Sequence, residues 1–425
     1  MRICIAVSVV ATLTAVPIAA ACARCGAGGN ALHASLLPTG GELLGPQFLF
    51  SEAGGPLSVP VLSSRPSARA KLYLDFDGDF TSSWGTLSPG ATPAYSLDND
   101  PTTFTPTELS YIDEIWQGVS EKFSPFDVDV TTINPGPLID FESYRIVIGG
   151  TGSWFGLAGG VAYLGGFTGV DPNTAYVFSG NLLPADPLHA SFVTAATAHE
   201  AGHGFGLLHQ SHWNGTTYVS EYNRGDDEKA PIMGSSYRKR GLWWQGPTVL
   251  STLIQNDVNH LGDEEINGFG FRADDHGNTP ATASALAFVD GEWAAEGVIT
   301  RRTDVDYFSL DFSGGLLAVV LSVAPYEAML DAALSLYNLS GDLIVDRDTA
   351  SLGESFTLSL PEGEYFIAVR SHGLVGDIGQ YRLSASVAIP EPASMAVFLA
   401  VTGTAACRRR GQSGARFRSK SCPII

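Results

Sequence analysis

The stretch His199-Glu200-Ala201-Gly202-His203-Gly204-Phe205-Gly206-Leu207-Leu208-His209 decides how this chain is read. Upstream of it, Asp186 suits a helix cap and Pro187 a first helical position. Phe192, Val193, Ala196 and His199 follow at helical spacing, which predicts a helix that fails near Gly204 and Gly206. Residues four apart share a helix face, so His199 and His203 can offer two imidazoles to one Zn²⁺ ion. Glu200 lies beside them, placed to take a proton from water that such an ion activates. His209 reaches the same ion only if the chain turns back, and Gly206, helped by Gly204, permits the positive φ that such a turn needs. Three neutral imidazoles leave a fourth position for water, as catalytic rather than structural zinc requires. Adding the glycine and third histidine to a bare His-Glu-x-x-His lowers its chance frequency from about one sequence in a hundred to a few in a hundred thousand.

Working outward, Ala70 to Phe76 alternates as a strand ending at Asp77-Gly78. Thr105-Pro106-Thr107-Glu108 combines an N-cap, a proline at the first helical position and a capping-box glutamate. The helix it opens carries Leu109, Ile112, Ile115, Trp116, Val119 and Phe123 and stops before Pro125. Val128 to Thr132 and Tyr144 to Ile148 read as strands, and the glycine- and aromatic-rich segments 159–167 and 175–178 as a hairpin-like pair. A third helix is expected around Val249 to Leu261. The remaining histidines, His33, His189, His212, His260, His276 and His372, read as ordinary surface or core residues, with His212 near enough in sequence to support the site.

The pattern HExxHxxGxxH resembles that of the metzincin metallopeptidases. These enzymes also carry a methionine turn beneath the zinc, and Ala230-Pro231-Ile232-Met233-Gly234 matches it, with Met233 as the implied hydrophobic floor. The resemblance covers roughly residues 70–265 and implies an α+β catalytic domain, a mixed sheet with the zinc-binding helix beneath it. It also implies a peptide substrate laid antiparallel to an edge strand, for which Gly159 to Gly166 is the candidate. Zinc would polarise the scissile carbonyl while Glu200 accepts the water's proton and passes it to the leaving amine. Some metzincins place a tyrosine ligand two residues after the methionine. Here Ser235 stands there and Tyr237 two further on, so Tyr237 is a candidate zinc ligand or oxyanion donor. Arg24-Cys25-Gly26 resembles the core of the cysteine switch of matrix metalloproteinases, without its surrounding pattern.

After Asn267-Gly268, short alternating runs broken by Gly, Asp and Asn favour an all-β sandwich over residues 270–388. This part resembles the bacterial pre-peptidase C-terminal domain. It implies a targeting, solubility or substrate-binding role, with Ca²⁺ as a candidate cofactor at Asp274, Asp275, Asp304 and Asp306. Each of those aspartates can equally be a solvated turn residue.

The ends read as addresses. Residues 1–23 form a secretory signal with an Ala21-Cys22-Ala23 cleavage site, Cys22 as a lipidated residue being the alternative. Residues 24–68 read as a linker or pro-segment, and 69–268 as the zinc peptidase domain. Residues 389–410, with Pro390-Glu391-Pro392, a short apolar stretch and Arg408-Arg409-Arg410, resemble the PEP-CTERM sorting signal. That resemblance implies an exosortase-type partner, transient membrane association, and a final place at the cell envelope surface or outside the cell. A basic tail, 411–425, follows. All five cysteines lie in the terminal segments, so no disulfide framework is expected in the body.

Over 425 residues, 44% hydrophobic composition allows sizeable cores, and no long apolar run crosses the middle of the chain. Residues 26–390 hold 16 basic and 43 acidic side chains, a surface that repels phosphate backbones and excludes nucleic acid as a partner. The expectation is an exported zinc endopeptidase acting on protein or peptide. The alternatives are a non-catalytic zinc-containing matrix or surface-binding protein and a zinc hydrolase of another substrate class.

Overall fold

The apolar alternation at Ala70 and the capping box at Thr105 seed the first layer. The structure, a computed structural model, describes residues 32–37, 55–250, 253–289 and 291–387. The signal peptide, the Arg24-Cys25-Gly26 motif, the Pro-Glu-Pro segment and the basic tail lie outside the described residues. The first layer is a six-stranded mixed sheet. Its strands are β1 (Leu32–Ser35), β2 (Ala70–Asp75), β3 (Val128–Thr131), β4 (Ser143–Ile148), β5 (Gly160–Tyr163) and β6 (Thr174–Val177). They lie in the order β1-β5-β6-β4-β2-β3, with β2, β3, β4 and β6 parallel and β5 antiparallel to both its neighbours. Near-continuous burial along β2, β3 and β4 fits strands covered on both faces.

Two helices pack on this sheet. Helix α1 (Pro106–Phe123) starts as its sequence dictates: Glu108 N–H donates to Thr105 Oγ1 at 3.2 Å and Thr105 N–H to Glu108 Oε2 at 2.7 Å. Helix α2 (His189–Gly204) begins later than the Asp186 cap predicts. Asp186 instead closes a turn, its carboxylate accepting from Leu188 N–H and its carbonyl from His189 N–H, both at 2.9 Å. Gly118 of α1 lets the helices meet, since a Cβ there would stand 2.8 Å from Thr194.

One expectation needs correction. The helix expected over Val249 to Leu261 is only Asp257–Leu261, because Ile254–Asn256 pairs antiparallel with Gln245–Pro247 and Asn256 is the cap. The segment 24–68, read as a linker or pro-segment, contributes β1, which the sheet recruits by pairing with β5 across more than 120 residues of chain.

Beyond residue 283 two five-stranded sheets follow. One has the order Ser284–Ala285, Val305–Phe312, Gly363–Ser371, Ala332–Asn338, Leu343–Arg347. The other runs Ala287–Val289, Glu292–Ile299, Gly379–Val387, Gly315–Val323, Glu354–Leu360. All their pairings are antiparallel except Ser284–Ala285 with Val305–Phe312. Alternating burial along Val305–Phe312 buries Phe308, Leu310 and Phe312 between them, as a sandwich core requires.

The sandwich joins α1 through buried polar groups. Glu121, fully buried, accepts from Met329 N–H at 3.0 Å and Gln380 N–H at 3.1 Å. Lys122 donates to the carbonyls of Gly241 at 3.0 Å and Glu327 at 2.6 Å. The Glu327 carboxylate accepts from Ser191 of α2 at 2.5 Å. Burial pushes the Glu121 carboxyl up to about 7 despite its hydrogen bonds.

Candidate metal centre

The motif residues converge at the C-terminal end of α2. His199 and His203 share one face, and the chain leaves the helix through a left-handed glycine, Gly206 (φ +96°). Gly206 N–H donates to His203 O and Leu207 N–H to Gly202 O, both at 2.9 Å, the paired bonds of a Schellman stop. That reversal carries His209 back. His203 Nε2 then lies 3.1 Å from His199 Nε2 and 2.9 Å from His209 Nε2. Ser235 and the exposed His212 contribute nothing to this convergence.

Each ring is oriented from behind. Nδ1 of His199 lies 2.7 Å from Ile232 O, Nδ1 of His203 2.7 Å from Leu207 O, and Nδ1 of His209 2.8 Å from Glu221 Oε1. Carbonyl and carboxylate oxygens accept, so these Nδ1 atoms carry the protons and the three Nε2 lone pairs point at one another. Burial holds all three imidazoles neutral, His199 down to about 4 and the other two well below the ordinary range. Three converging lone pairs about 3 Å apart repel unless a cation sits among them. Tetrahedral zinc, with Zn–N near 2.05 Å, needs neighbouring nitrogens about 3.3 Å apart. The donor set therefore fits Zn²⁺.

Met233 is fully buried in the turn Pro231 to Gly234, closed by Gly234 N–H to Pro231 O at 3.0 Å. It packs beneath α2 so closely that a Cβ on Gly202 would lie 2.4 Å from its sulfur. Glu200 is fully buried, with Oε1 accepting from Ser35 N–H at 2.9 Å and Oε2 without a hydrogen-bond partner among the described residues. Burial raises its carboxyl well above the usual carboxylate range, against the Ser35 bond. Gly160 of β5 makes room for it: a Cβ there would lie 2.7 Å from Glu200 Cγ.

Tyr237 donates from its hydroxyl to Leu36 O at 2.6 Å, on β1's continuation rather than at the convergence point. Another tyrosine packs on the imidazoles: Tyr222, whose ring lies 4.4 Å from that of His209 and whose hydroxyl donates to Ala34 O. Sequence reasoning missed Tyr222, Glu221 and His33. The first two share the polar-aromatic run Ser220-Glu221-Tyr222 between the third histidine and the methionine turn, the one signal that could have found them. His33, expected to be an ordinary residue, stands beside the site, its ring 4.5 Å from that of His203.

In the sandwich, carboxylate oxygens of Asp274, Asp275 and Asp306 lie within 4.8 Å of one another. Asp306 is fully buried, with Oδ2 accepting from Tyr381 at 2.5 Å and Oδ1 without a partner among the described residues. Asp304, expected beside them, is turned into the Thr300 loop, accepting from Thr300 N–H at 2.8 Å and its hydroxyl at 2.9 Å.

No family model matches the chain, and no curated protein sequence matches it. Among solved structures, it is similar over 26% of its length to the whole pre-peptidase C-terminal domain of a collagenase from Bacillus anthracis, at 14% identity and a TM-score of 0.21. It is also similar over 25% to a periplasmic inhibitor of g-type lysozyme from Aeromonas hydrophila, covering 96% of that chain at 17% identity and a TM-score of 0.21. A mitogen of Yersinia pseudotuberculosis matches over 25% of this chain and 93% of its own, at 16% identity and a TM-score of 0.19. These likenesses are weak and touch about a quarter of the chain.

Proposed function

We propose that the chain is an exported zinc-dependent endopeptidase of metzincin type, with Glu200 as its general base. The observation that carries this reading is the set of three Nε2 atoms 2.9 and 3.1 Å apart, each ring held in the ligating tautomer from behind, with a buried carboxylate on the same helix turn. His199, His203 and His209 would hold Zn²⁺, which supplies Lewis acidity and lowers the pKa of water to near neutrality. Glu200 holds the proton that leaves the attacking water and returns it to the amine of the broken bond. Its partnerless Oε2 is the free position for that proton. Tyr222 and Tyr237 donate to backbone carbonyls of an extended strand running beside β5, which is what orienting a peptide demands. Met233 and Gly202 fix the depth of the helix.

We assign Ca²⁺ to Asp274, Asp275 and Asp306 in the sandwich, which would serve targeting, solubility or substrate binding. The N-terminal signal and the Pro-Glu-Pro segment support delivery to the envelope and processing by an exosortase-type partner.

The test is casein cleavage by the secreted protein, with and without trimming of the N-terminal segment, in the presence and absence of 1,10-phenanthroline. Glu200→Ala should retain one equivalent of zinc and lose at least about a hundredfold in rate. Zinc at one equivalent with no cleavage by either form would instead establish a non-catalytic zinc protein.

A further inference from the structure

The edge of the cleft is already taken. Strand β1 pairs antiparallel with β5 from Leu32 opposite Tyr163 to Ser35 opposite Gly160, where an extended peptide would otherwise lie. Its backbone is held by the groups assigned to the reaction. Ser35 N–H donates to Glu200 Oε1, the Tyr222 hydroxyl to Ala34 O, and the Tyr237 hydroxyl to Leu36 O. Gly159 N–H donates to Ser35 O at 3.1 Å.

Side chains alternate along a strand, so His33 and Ser35 face the same way. His33 points among the imidazoles: its ring lies 4.5 Å from that of His203 and 5.1 Å from that of His209. One ligating nitrogen from each of these three residues falls within 4.8 Å of the others. His33 is 2% exposed, and neither ring nitrogen has a hydrogen-bond partner among the described residues. A buried polar atom without a partner loses its bond to water and gains none, so two on one ring ask for an explanation. A cation held by His203 and His209 is the group within reach that accepts such a lone pair. A four-imidazole tetrahedron asks for nitrogens about 3.3 Å apart, a short approach for a side chain already against the site.

We propose that residues 32–37 are a built-in plug and that His33 is a fourth imidazole ligand to the zinc, displacing the water that hydrolysis needs and keeping the chain latent until the segment leaves. This rests on the zinc peptidase reading. The plug also engages the base directly, since the Ser35 amide occupies Glu200 Oε1. Latency therefore has two components on one strand: a metal ligand and a donor to the carboxylate.

The experiment uses the full secreted chain loaded with Zn²⁺ and compares it with His33→Ala by zinc X-ray absorption and casein cleavage. The expected result is four imidazole nitrogens in the wild type and three plus one oxygen in His33→Ala, with cleavage rising at least tenfold. Ser35→Pro is the second variant. It keeps His33 but removes the amide given to Glu200 and breaks the strand, and should move both readouts the same way if His33→Ala does not fold. A wild-type shell of three imidazoles and one oxygen, or one unchanged by both variants, overturns the plug. A sulfur at about 2.3 Å overturns His33 as the blocking ligand in favour of a thiolate. In each of these cases, one equivalent of zinc and chelator-sensitive cleavage leave the peptidase reading standing. Failure to bind zinc through His199, His203 and His209 overturns both.

Discussion

Replacing Gly206 by alanine tests how the third histidine is delivered. The residue sits at φ +96°, and a Cβ there would lie 2.9 Å from His260 Nε2, which donates to Phe205 O at 3.0 Å. An L-residue forced into left-handed backbone costs about 1–2 kcal/mol. Moving His260 aside loses its hydrogen bond, roughly 1 kcal/mol more. The sum, about 2–3 kcal/mol, should lower the melting temperature of a folded body this large by about 3–4 °C. Zinc affinity should fall ten- to a hundredfold, because relaxation of the turn moves His209 relative to the other two rings. Thermal unfolding by circular dichroism and competition with a chromogenic chelator read the two effects. In a His260→Ala background the same substitution should cost only the backbone part. Wild-type stability and zinc affinity in Gly206→Ala would refute the claim that the Schellman turn at Gly206 builds the site.

Three further outcomes are expected. Glu221→Gln, which weakens the charge behind His209 while keeping its shape, should reduce zinc affinity about tenfold in the same competition assay; no change would mean that the 2.8 Å contact does not tune the ligand. Calcium should raise the melting temperature of the wild type but not of Asp306→Asn, and an equal rise in both would remove calcium from this cluster. The Glu121 carboxyl, lifted from about 4.5 to about 7 by burial against the pull of its hydrogen bonds and of Lys122, keeps in the folded chain a proton that the unfolded chain has already released. Its contribution therefore favours folding below pH 4.5 and is lost as pH rises to 7, by up to about 3 kcal/mol. Urea unfolding of the wild type and Glu121→Gln at pH 4.5 and 8 should differ by that change, and parallel pH profiles would sink it.

The legible parts of the site were those written locally. His199, Glu200 and His203 lie within one helical turn, and Gly206 and the Pro231 to Gly234 turn declare their backbone needs by residue type. The capping box at Thr105 and the alternation in Val305–Phe312 were legible for the same reason. What escaped depends on distant pairing. Nothing in Leu-His-Ala-Ser announces a strand, and β1 exists because β5 offers it an edge. His33 could not be placed without that register. Glu221 and Tyr222 were hidden because their roles come from where the loop after His209 folds back, which spacing does not encode. The helix expected from Val249 was cut short by a pairing between Gln245–Pro247 and Ile254–Asn256 that no propensity reveals.

Glu327 gives the two halves of the molecule a mechanical relation. It lies in the sandwich, in left-handed backbone (φ +55°), and grips Lys122 on α1 and Ser191 on α2, two turns before His199 on the same rod. Gly118 leaves the gap into which its side chain wedges. A displacement of the sandwich is thus passed to the helix that carries two of the imidazoles. A chain cut after residue 268 would take from the buried Glu121 carboxylate its Met329 and Gln380 donors and from Lys122 its Glu327 carbonyl, leaving the ammonium only Gly241 O. The sandwich and the helix of the imidazoles thus share one girder, and the buried polar groups between them hold the two halves to a common position.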